Sequence, residues 1–326
     1  MKKSFYPHPP KNRDPKTQHK KKIVPASKAK GPHPARGTKP LGKMIGKPLA
    51  RPLDKTKQKS SELDIFIKMG RWVIGLHAAE EVLKMRPHAV KRMIIREDWA
   101  TVPQLKAMHQ LAGYNDIQIQ EKSSGQIDGL LSAAQAGGGH QGILLIVSGR
   151  PEIDWDGLKT KEQSVLLALD GLEDPQNLGS ILRTSWLMDV DGILVPQDRA
   201  AGLTPTVSKV ASGGAEHVAL ESVSNMGAEF KQIKEMGYWI FGLSEKGTKT
   251  IWDLKLPEKV VWVVGNEASG LRISTEKFCD ELVRIPQAET GSSYNASIAT
   301  AIALAESARQ FSLHKSPQKN RPSDKD

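Results

Sequence analysis

The sequence predicts an α/β protein: a carboxyl-terminal domain on a mostly parallel sheet, a smaller α/β domain before it, and a basic tail ahead of both. Three observations carry this. From Val165 onward, short apolar runs of strand length alternate with stretches of helical length and pattern, the signature of β-α-β units. Residues 66–148 repeat that alternation in a segment long enough for one small layered domain. The charge, finally, is unevenly placed, because residues 1–60 hold eighteen Lys or Arg against Asp14 and Asp54, a net of +16 in a chain whose total is +11; residues 61–326 therefore carry −5.

Residues 1–60 also hold ten of the twenty prolines and few large apolar side chains, so nothing offsets the entropy of ordering them. A disordered basic tail over residues 1–65 is the expectation, with a second short tail over residues 313–326. Counterion release from a polyanion would favour such a composition, although charge alone does not separate nucleic acid from an acidic membrane surface. No apolar run is long enough to span a bilayer, and Met1-Lys2-Lys3 is followed by prolines rather than by the apolar core of a signal peptide. The single cysteine, Cys279, excludes an internal disulfide framework and a cysteine-based metal cluster. A cytoplasmic protein without a structural metal is the simplest reading.

Within the small domain, Trp72 to Gly75 leads into a helix from His77 to Met85, and Val90 to Ile95 is a compact β-rich run. A helix over Val102 to Leu111, a strand around Ile117 to Ile119, a polar helix over Ser124 to Ala136 and a strand over Gly142 to Val147 complete it. The glycine-rich turn Gly137 to Gly142 contains His140, which in such a setting is more often structural than catalytic. Residues 149–163, interrupted by Gly149, Pro151 and Gly157, read as a linker to a second domain spanning residues 164–312.

That domain opens with Val165 to Asp170, a continuous apolar run of the kind buried on both faces. The polar loop Gly171 to Asn177 and a helix from Leu178 to Met188 follow. The alternation continues with a strand Gly192 to Pro196, a helix Val207 to Gly213, a strand His217 to Leu220, a helix Asn225 to Met236, and strands Tyr238 to Leu243 and Val260 to Val264. Leu282 to Pro286 is a short strand stopped by proline; the loop after it leads into an Ala-rich helix with Asn295 and Ser297 as capping candidates.

Ligands of such sheets bind beyond the carboxyl ends of the strands. Three of these ends carry unusual polar sets: Asp174 to Gly179 with Arg183 one turn into the helix, Gly265 to Leu271, and Gln287 to Asn295. A helix starting at Leu178 would place Arg183 near the same edge as Asn177. Each set alone is weak, since a Gly-x-Glu-x-x-Gly turn recurs by chance and an exposed Arg is usually a solvated charge.

Their order and spacing together resemble the three signature motifs of the SpoU/TrmH family of RNA ribose 2′-O-methyltransferases. The motifs here are Asn177-Leu178-Gly179 with Arg183; Gly265, Glu267, Gly270 and Leu271; and Ile285-Pro286 with Ser293, Asn295 and Ser297. Val195 to Arg199 and Ala211 to Glu216 are also similar to the family. Upstream, Gly75-Leu76-His77-Ala78 with Glu80, and the His140-Gln141-Gly142 turn, resemble the RNA-binding domain of the subgroup that methylates a guanosine ribose in 23S ribosomal RNA.

What the resemblance implies is specific. The catalytic domain would carry a deep trefoil knot holding S-adenosylmethionine in a bent shape, and the small domain would have a ribosomal-protein-like fold. Gly265, Ile285 and Tyr294, with Leu243, Asn266, Gly270 and Pro286, would contact the cofactor. Arg183 would activate the ribose hydroxyl or hold the adjacent phosphate, and we favour electrostatic stabilisation because a guanidinium hardly ever deprotonates. Asn177, Glu267, Ser293 and Asn295 would orient Arg183, the ribose and the cofactor loop. Family members are homodimers with the site at the subunit interface; the RNA would be ribosomal first and transfer RNA as the alternative.

The chain departs from the usual Ile-Pro-Met-x-Gly in having Gln287 and Glu289, and Tyr294 stands where leucine is common. Glu289 would bring charge and bulk beside the cofactor. Two other classes remain open to comparison: a catalytically silent RNA-binding assembly factor of the same fold, and a dinucleotide-binding enzyme. The second is disfavoured because no Gly-x-Gly-x-x-Gly follows the first strand of either domain.

Overall fold

The computed structural model describes residues 61–136, 139–198, 201–288 and 292–312. The expectations for tails over residues 1–60 and 313–326, and the one for Glu289, lie outside the described residues.

A capping box opens the first element. The Ser61 hydroxyl accepts from the Asp64 N–H and the Asp64 carboxylate accepts from the Ser61 N–H, each at 3.1 Å, at the start of α1 (Glu62–Met69). Phe66 on its inner face is buried, and the Trp72 indole donates to the Phe66 carbonyl at 3.3 Å. The boundary expected after residue 65 therefore falls inside a helix, because the cap and the Leu63, Phe66, Met69 spacing outweigh the basic composition before them.

The small domain continues with β1 (Arg71–Ile74), α2 (Leu76–Met85), β2 (Val90–Arg96), α3 (Pro103–Tyr114), β3 (Ile119–Lys122), α4 (Ser124–Ala133) and β4 (Ile143–Val147). Its sheet runs β1-β4-β2-β3, antiparallel except for the parallel β2–β3 pair. Alternation divides the core between two faces: Val73, Met93, Ile95 and Leu145 pack with α2 and α3, while Trp72, Ile74, Ile94 and Leu144 pack with α1 and α4. The strand expected at Ile117 starts at Ile119 instead. Asp116 turns the chain at φ 54°, and the Ile117 N–H is taken by the Ala112 carbonyl at 3.0 Å.

The span read as a linker is not featureless. It holds α5 (Trp155–Thr160), and Ile153 and Leu158 are buried against the second sheet. That sheet comprises β5 (Ser164–Asp170), β6 (Gly192–Pro196), β7 (Leu220–Val223), β8 (Trp239–Leu243), β9 (Lys249–Thr250), β10 (Lys259–Gly265) and β11 (Glu281–Arg284). Its order is β7-β6-β5-β10-β8-β11-β9, with parallel pairing throughout. Successive β5 residues serve opposite faces: Val165, Leu167 and Leu169 one core, Leu166 and Ala168 the other. Both faces are covered, as an all-parallel sheet requires.

The helices are α6 (Pro175–Leu187), α7 (Pro205–Ala211), α8 (Gly214–His217), α9 (Met226–Glu235), α10 (Ile273–Glu276) and α11 (Ala296–Ser312). Two differ from expectation in ways that matter. Helix α6 begins at Pro175 rather than Leu178, because the Asp174 carboxylate caps it, accepting from the Gln176 N–H at 3.0 Å, and proline suits the first helical position. Asn177 thus lies inside the first turn. The single helix expected over Val207 to Gly213 is two, broken where Ser212 and Gly213 take φ 49° and 102°. The strand expected at His217 to Leu220 is accordingly displaced to β7.

Candidate active site

Three segments distant in sequence meet on one carboxylate. Glu267 Oε1 accepts from Asn177 Nδ2 at 2.7 Å, from Asn295 Nδ2 at 2.6 Å and from the Ala296 N–H at 3.2 Å. Asn295 Nδ2 also donates to Asn177 Oδ1 at 2.8 Å, closing a ring of three side chains. Asn177 is buried whereas Glu267 and Asn295 are exposed, so the ring stands at the rim of the fold. Asn295 also caps α11, as its residue type predicts, because its Oδ1 accepts from the Ser297 N–H at 2.9 Å and from the Ser297 hydroxyl at 2.6 Å.

The loop after β10 is shaped by backbone. Asn266 and Gly270 exchange hydrogen bonds of 3.1 and 2.8 Å across a tight turn, and a side chain at Gly265 would collide with the Gly270 carbonyl, so glycine is required there. Asn266 Nδ2 donates to the Gly171 carbonyl at 3.1 Å, and its Oδ1 accepts from the Ala268 N–H at 2.9 Å. Beneath the turn, the buried Asp170 carboxylate accepts from the Arg272 N–H at 2.8 Å and faces Arg272 Nε at 3.3 Å.

Beside this loop lies a cavity of about 440 Å³ at the carboxyl ends of β8 and β10. Leu243, Val264 and Ile285 supply apolar lining, and Gly265, Asn266, Glu267, Gly270, Ser293 and Tyr294 complete it together with Glu245 and Lys246. The expected cofactor contacts thus gather on one cavity, with one exception. Pro286 does not line it; its carbonyl accepts from the Tyr294 hydroxyl at 3.2 Å and so holds that ring in place.

Arg183 is not part of the ring. It lies six residues beyond Asn177, about 9 Å along the helix axis, it is exposed, and Nη1 donates only a long 3.4 Å hydrogen bond to Ser212 Oγ. In the third turn of α6, Arg183 faces the α7–α8 junction and makes no hydrogen bond to the ring. Ring and arginine are therefore separate devices within one chain. His140 is structural: Nδ1 accepts from the Gly142 N–H at 2.9 Å, and Nε2 lies 3.2 Å from the Ser124 hydroxyl and 3.4 Å from Asp128. Burial first, with the charges of Arg96 and Lys209, holds its imidazole below the usual range against the opposing pull of Asp128.

Sequence reasoning missed a second cluster. Glu216, with a side chain only 2% exposed, pairs with Arg71 and, at 3.3 Å, with Arg86. Next to it His217 Nε2 meets Glu81 at 2.8 Å and stacks on Trp186 at 4.1 Å between ring centroids. The one available signal was an acid and a histidine in an otherwise small-residue stretch, which does not say whom they meet.

The geometry defines a class first. The structure superimposes on that of the SpoU methyltransferase AviRb from Streptomyces viridochromogenes with a TM-score of 0.64 at 19% identity, over 77% of this chain and 93% of that one. An rRNA methyltransferase from Sinorhizobium meliloti matches with a TM-score of 0.64 at 19% identity, over 78% and 96%. These likenesses establish the fold, a parallel-sheet α/β fold of the SpoU type. Residues 164–305 match the model of the SpoU rRNA Methylase family, and residues 72–152 match the RNA 2′-O ribose methyltransferase substrate-binding model. The 23S rRNA (guanosine-2′-O-)-methyltransferase RlmB of Neisseria meningitidis is 34% identical over 243 residues, covering 74% of this chain and 95% of that protein. Its counterpart in Escherichia coli is 36% identical over 257 residues, covering 75% and 100%. The chain belongs to the SpoU rRNA methylase family.

Proposed function

We propose that this protein is an S-adenosylmethionine-dependent RNA ribose 2′-O-methyltransferase acting on a guanosine of 23S ribosomal RNA. The observation that carries the reading is the convergence of Asn177, Glu267 and Asn295, with Asn177 90 and 118 positions from the other two, beside a cavity in a chain aligned over nearly the whole length of relatives with that activity.

The cavity fits the cofactor. Its volume is within the range of small-molecule sites; its apolar wall suits an adenine, and Glu245 and Lys246 offer opposite charges to an amino-acid moiety. When bound, the cofactor supplies an electrophilic methyl group for in-line attack by a ribose 2′-oxygen. The ring of Asn177, Glu267 and Asn295 locks the loop after β10 to the start of α11, so the cavity wall is set before the ligand arrives. Arg183 acts on the RNA side, stabilising the developing alkoxide or the neighbouring phosphate. Ser293, which is exposed and lines the cavity, would meet the ribose.

The finer features follow the family. The position of β10 between β5 and β8 supports the trefoil-knotted path, and the substrate-binding match over residues 72–152 supports a ribosomal-protein-like RNA module over residues 66–148. Residues 164–312 form the methyltransferase domain. No arginine lines the cavity among the described residues, which supports a homodimer in which Arg183 of a second copy completes the site. No helix among the described residues is long and apolar enough to cross a membrane; we place the protein in the cytoplasm with its RNA.

The test is to incubate the purified protein with methyl-labelled S-adenosylmethionine and 23S ribosomal RNA, and to map 2′-O-methylation by resistance to alkaline cleavage. Arg183→Ala should reduce single-turnover transfer by about 10²–10³-fold, the scale of losing one transition-state donor, with cofactor affinity nearly intact. Cofactor binding without any transfer would instead favour the silent assembly factor, and label in transfer RNA alone would reassign the substrate.

A further inference from the structure

The seam between the two sheets is rich in cations, and several of them are held by carboxylates. Arg71 and Arg86 share Glu216, and Arg96 pairs with Asp98. Among the described residues no carboxylate lies within ion-pair distance of Lys209 or of Arg183. The two differ in setting: Arg183 is exposed on α6, whereas Lys209, in the last turn of α7, is half-buried. Its stem passes Gly75, where a Cβ would stand 3.5 Å from Lys209 Cγ, and its ammonium reaches the glycine turn of the small domain, 3.6 Å from the Cβ position of Gly139.

Holding a lysine half-buried and extended across a seam sacrifices rotamer freedom and part of its hydration without a compensating charge. An anion arriving in the seam would reverse that balance. The carboxylates of the seam are already engaged by cations or an imidazole: Glu216 faces two guanidiniums, Glu81 meets His217 and Lys84, and the Nη1 atom of Arg71 is buried without a hydrogen-bond partner. The backbone of Lys209, at the root of that side chain, is joined to Arg183 through one residue. The Ser212 hydroxyl donates to the Lys209 carbonyl at 3.4 Å and accepts from Arg183 Nη1 at 3.4 Å.

We propose that Lys209 is a phosphate-binding residue for the RNA substrate, gripping one backbone phosphate where the strand passes from the small domain to the catalytic helix that carries Arg183. This deepens the methyltransferase reading and rests on it. Arg183 then serves the reacting nucleotide, and Lys209, whose ammonium lies at the Gly139 turn, serves a neighbour. Such a contact fixes register without reading sequence. It also gives the seam a use: it brings the RNA held by one domain to the chemistry of the other.

The experiment uses the full chain and a 23S ribosomal RNA transcript. Binding is titrated at several salt concentrations for the wild type, Lys209→Ala and Lys209→Arg, alongside cofactor affinity, thermal stability and the steady-state KM for RNA. Lys209→Ala should lower the slope of log affinity against log salt by about 0.7–0.9, the effect of one lost phosphate contact, and raise KM for RNA about tenfold with unchanged cofactor affinity. Lys209→Arg should keep the wild-type slope. If the alanine variant binds RNA with the wild-type slope and KM, the inference is wrong; should it merely melt earlier, Lys209 serves the carboxyl end of α7 instead. A wild-type protein that neither binds nor methylates ribosomal RNA would overturn the underlying reading, a result distinct from a silent substitution at Lys209.

Discussion

Two glutamates organise the polar structure of this protein, and they are built oppositely. Glu267 is exposed and accepts only from neutral donors, two carboxamides and a backbone N–H. Glu216 is buried and accepts from two guanidiniums contributed by the other sheet's domain. The first arrangement fixes a loop beside the cavity and can be rebuilt with water at modest cost. The second fastens one domain to the next, and removing its centre strands two positive charges. The loop after β10 thus rests on neutral donors around an exposed carboxylate, whereas cohesion between the domains rests on a buried ionic cluster.

The largest effect should come from Glu216→Ala. Breaking a buried pair by deleting one partner typically costs about 3–5 kcal/mol, and here Arg71 and Arg86 are both left behind. Urea unfolding should show that loss, together with an early transition as the small domain detaches. Glu267→Ala should cost only about 1–2 kcal/mol, since the orphaned groups are neutral amides near solvent. Equal losses in the two variants would remove the distinction.

At the cavity the order reverses. Glu267→Ala should weaken S-adenosylmethionine binding by about 10–100-fold, or roughly 1.4–2.8 kcal/mol, because the loop after β10 loses its tie to α11. Glu267→Gln sharpens the point. Its carbonyl oxygen can still accept from Asn177 and Asn295, so calorimetry should find most of the affinity retained. A glutamine variant as weak as alanine would show that the charge of Glu267, and not its acceptor geometry, holds the site.

How much of this was legible in the sequence follows from the same contrast. The parallel sheet was legible because β5 and β10 are continuous apolar runs whose alternate residues feed two cores. The motif residues were legible as a set, since Asn177, Glu267 and Asn295 lie in the segments that follow three strands with recognisable spacing, and they do meet. The setting of Arg183 was not, because its partner Ser212 sits at φ 49° in the break between α7 and α8, where the sequence pattern predicts one continuous helix. The seam was least legible. Arg71, Arg86 and Glu216 are 130 or more positions apart in their pairings, and single charges in a sequence do not announce a buried partner.

The smallest expected effect concerns His140, beside the seam and ordered by neutral hydrogen bonds like those around Glu267. Its Nδ1 accepts from the Gly142 N–H, which leaves the proton on Nε2, facing Ser124 and Asp128. Burial, with Arg96 and Lys209 nearby, holds the folded-state pKa below its ordinary value, although Asp128 pulls the other way. The unfolded chain then binds the proton more readily, so stability rises with pH across this range. The contribution is fully present above the unfolded value of about 6.5 and is lost as the pH falls toward the folded one. Unfolding measured at pH 7.5 and 5.5 should therefore show a larger acid loss for the wild type than for His140→Gln, whose side chain can still accept from Gly142 but cannot take up a proton. If the two profiles overlay, Asp128 offsets the burial of His140 completely, and its protonation plays no part in the acid loss.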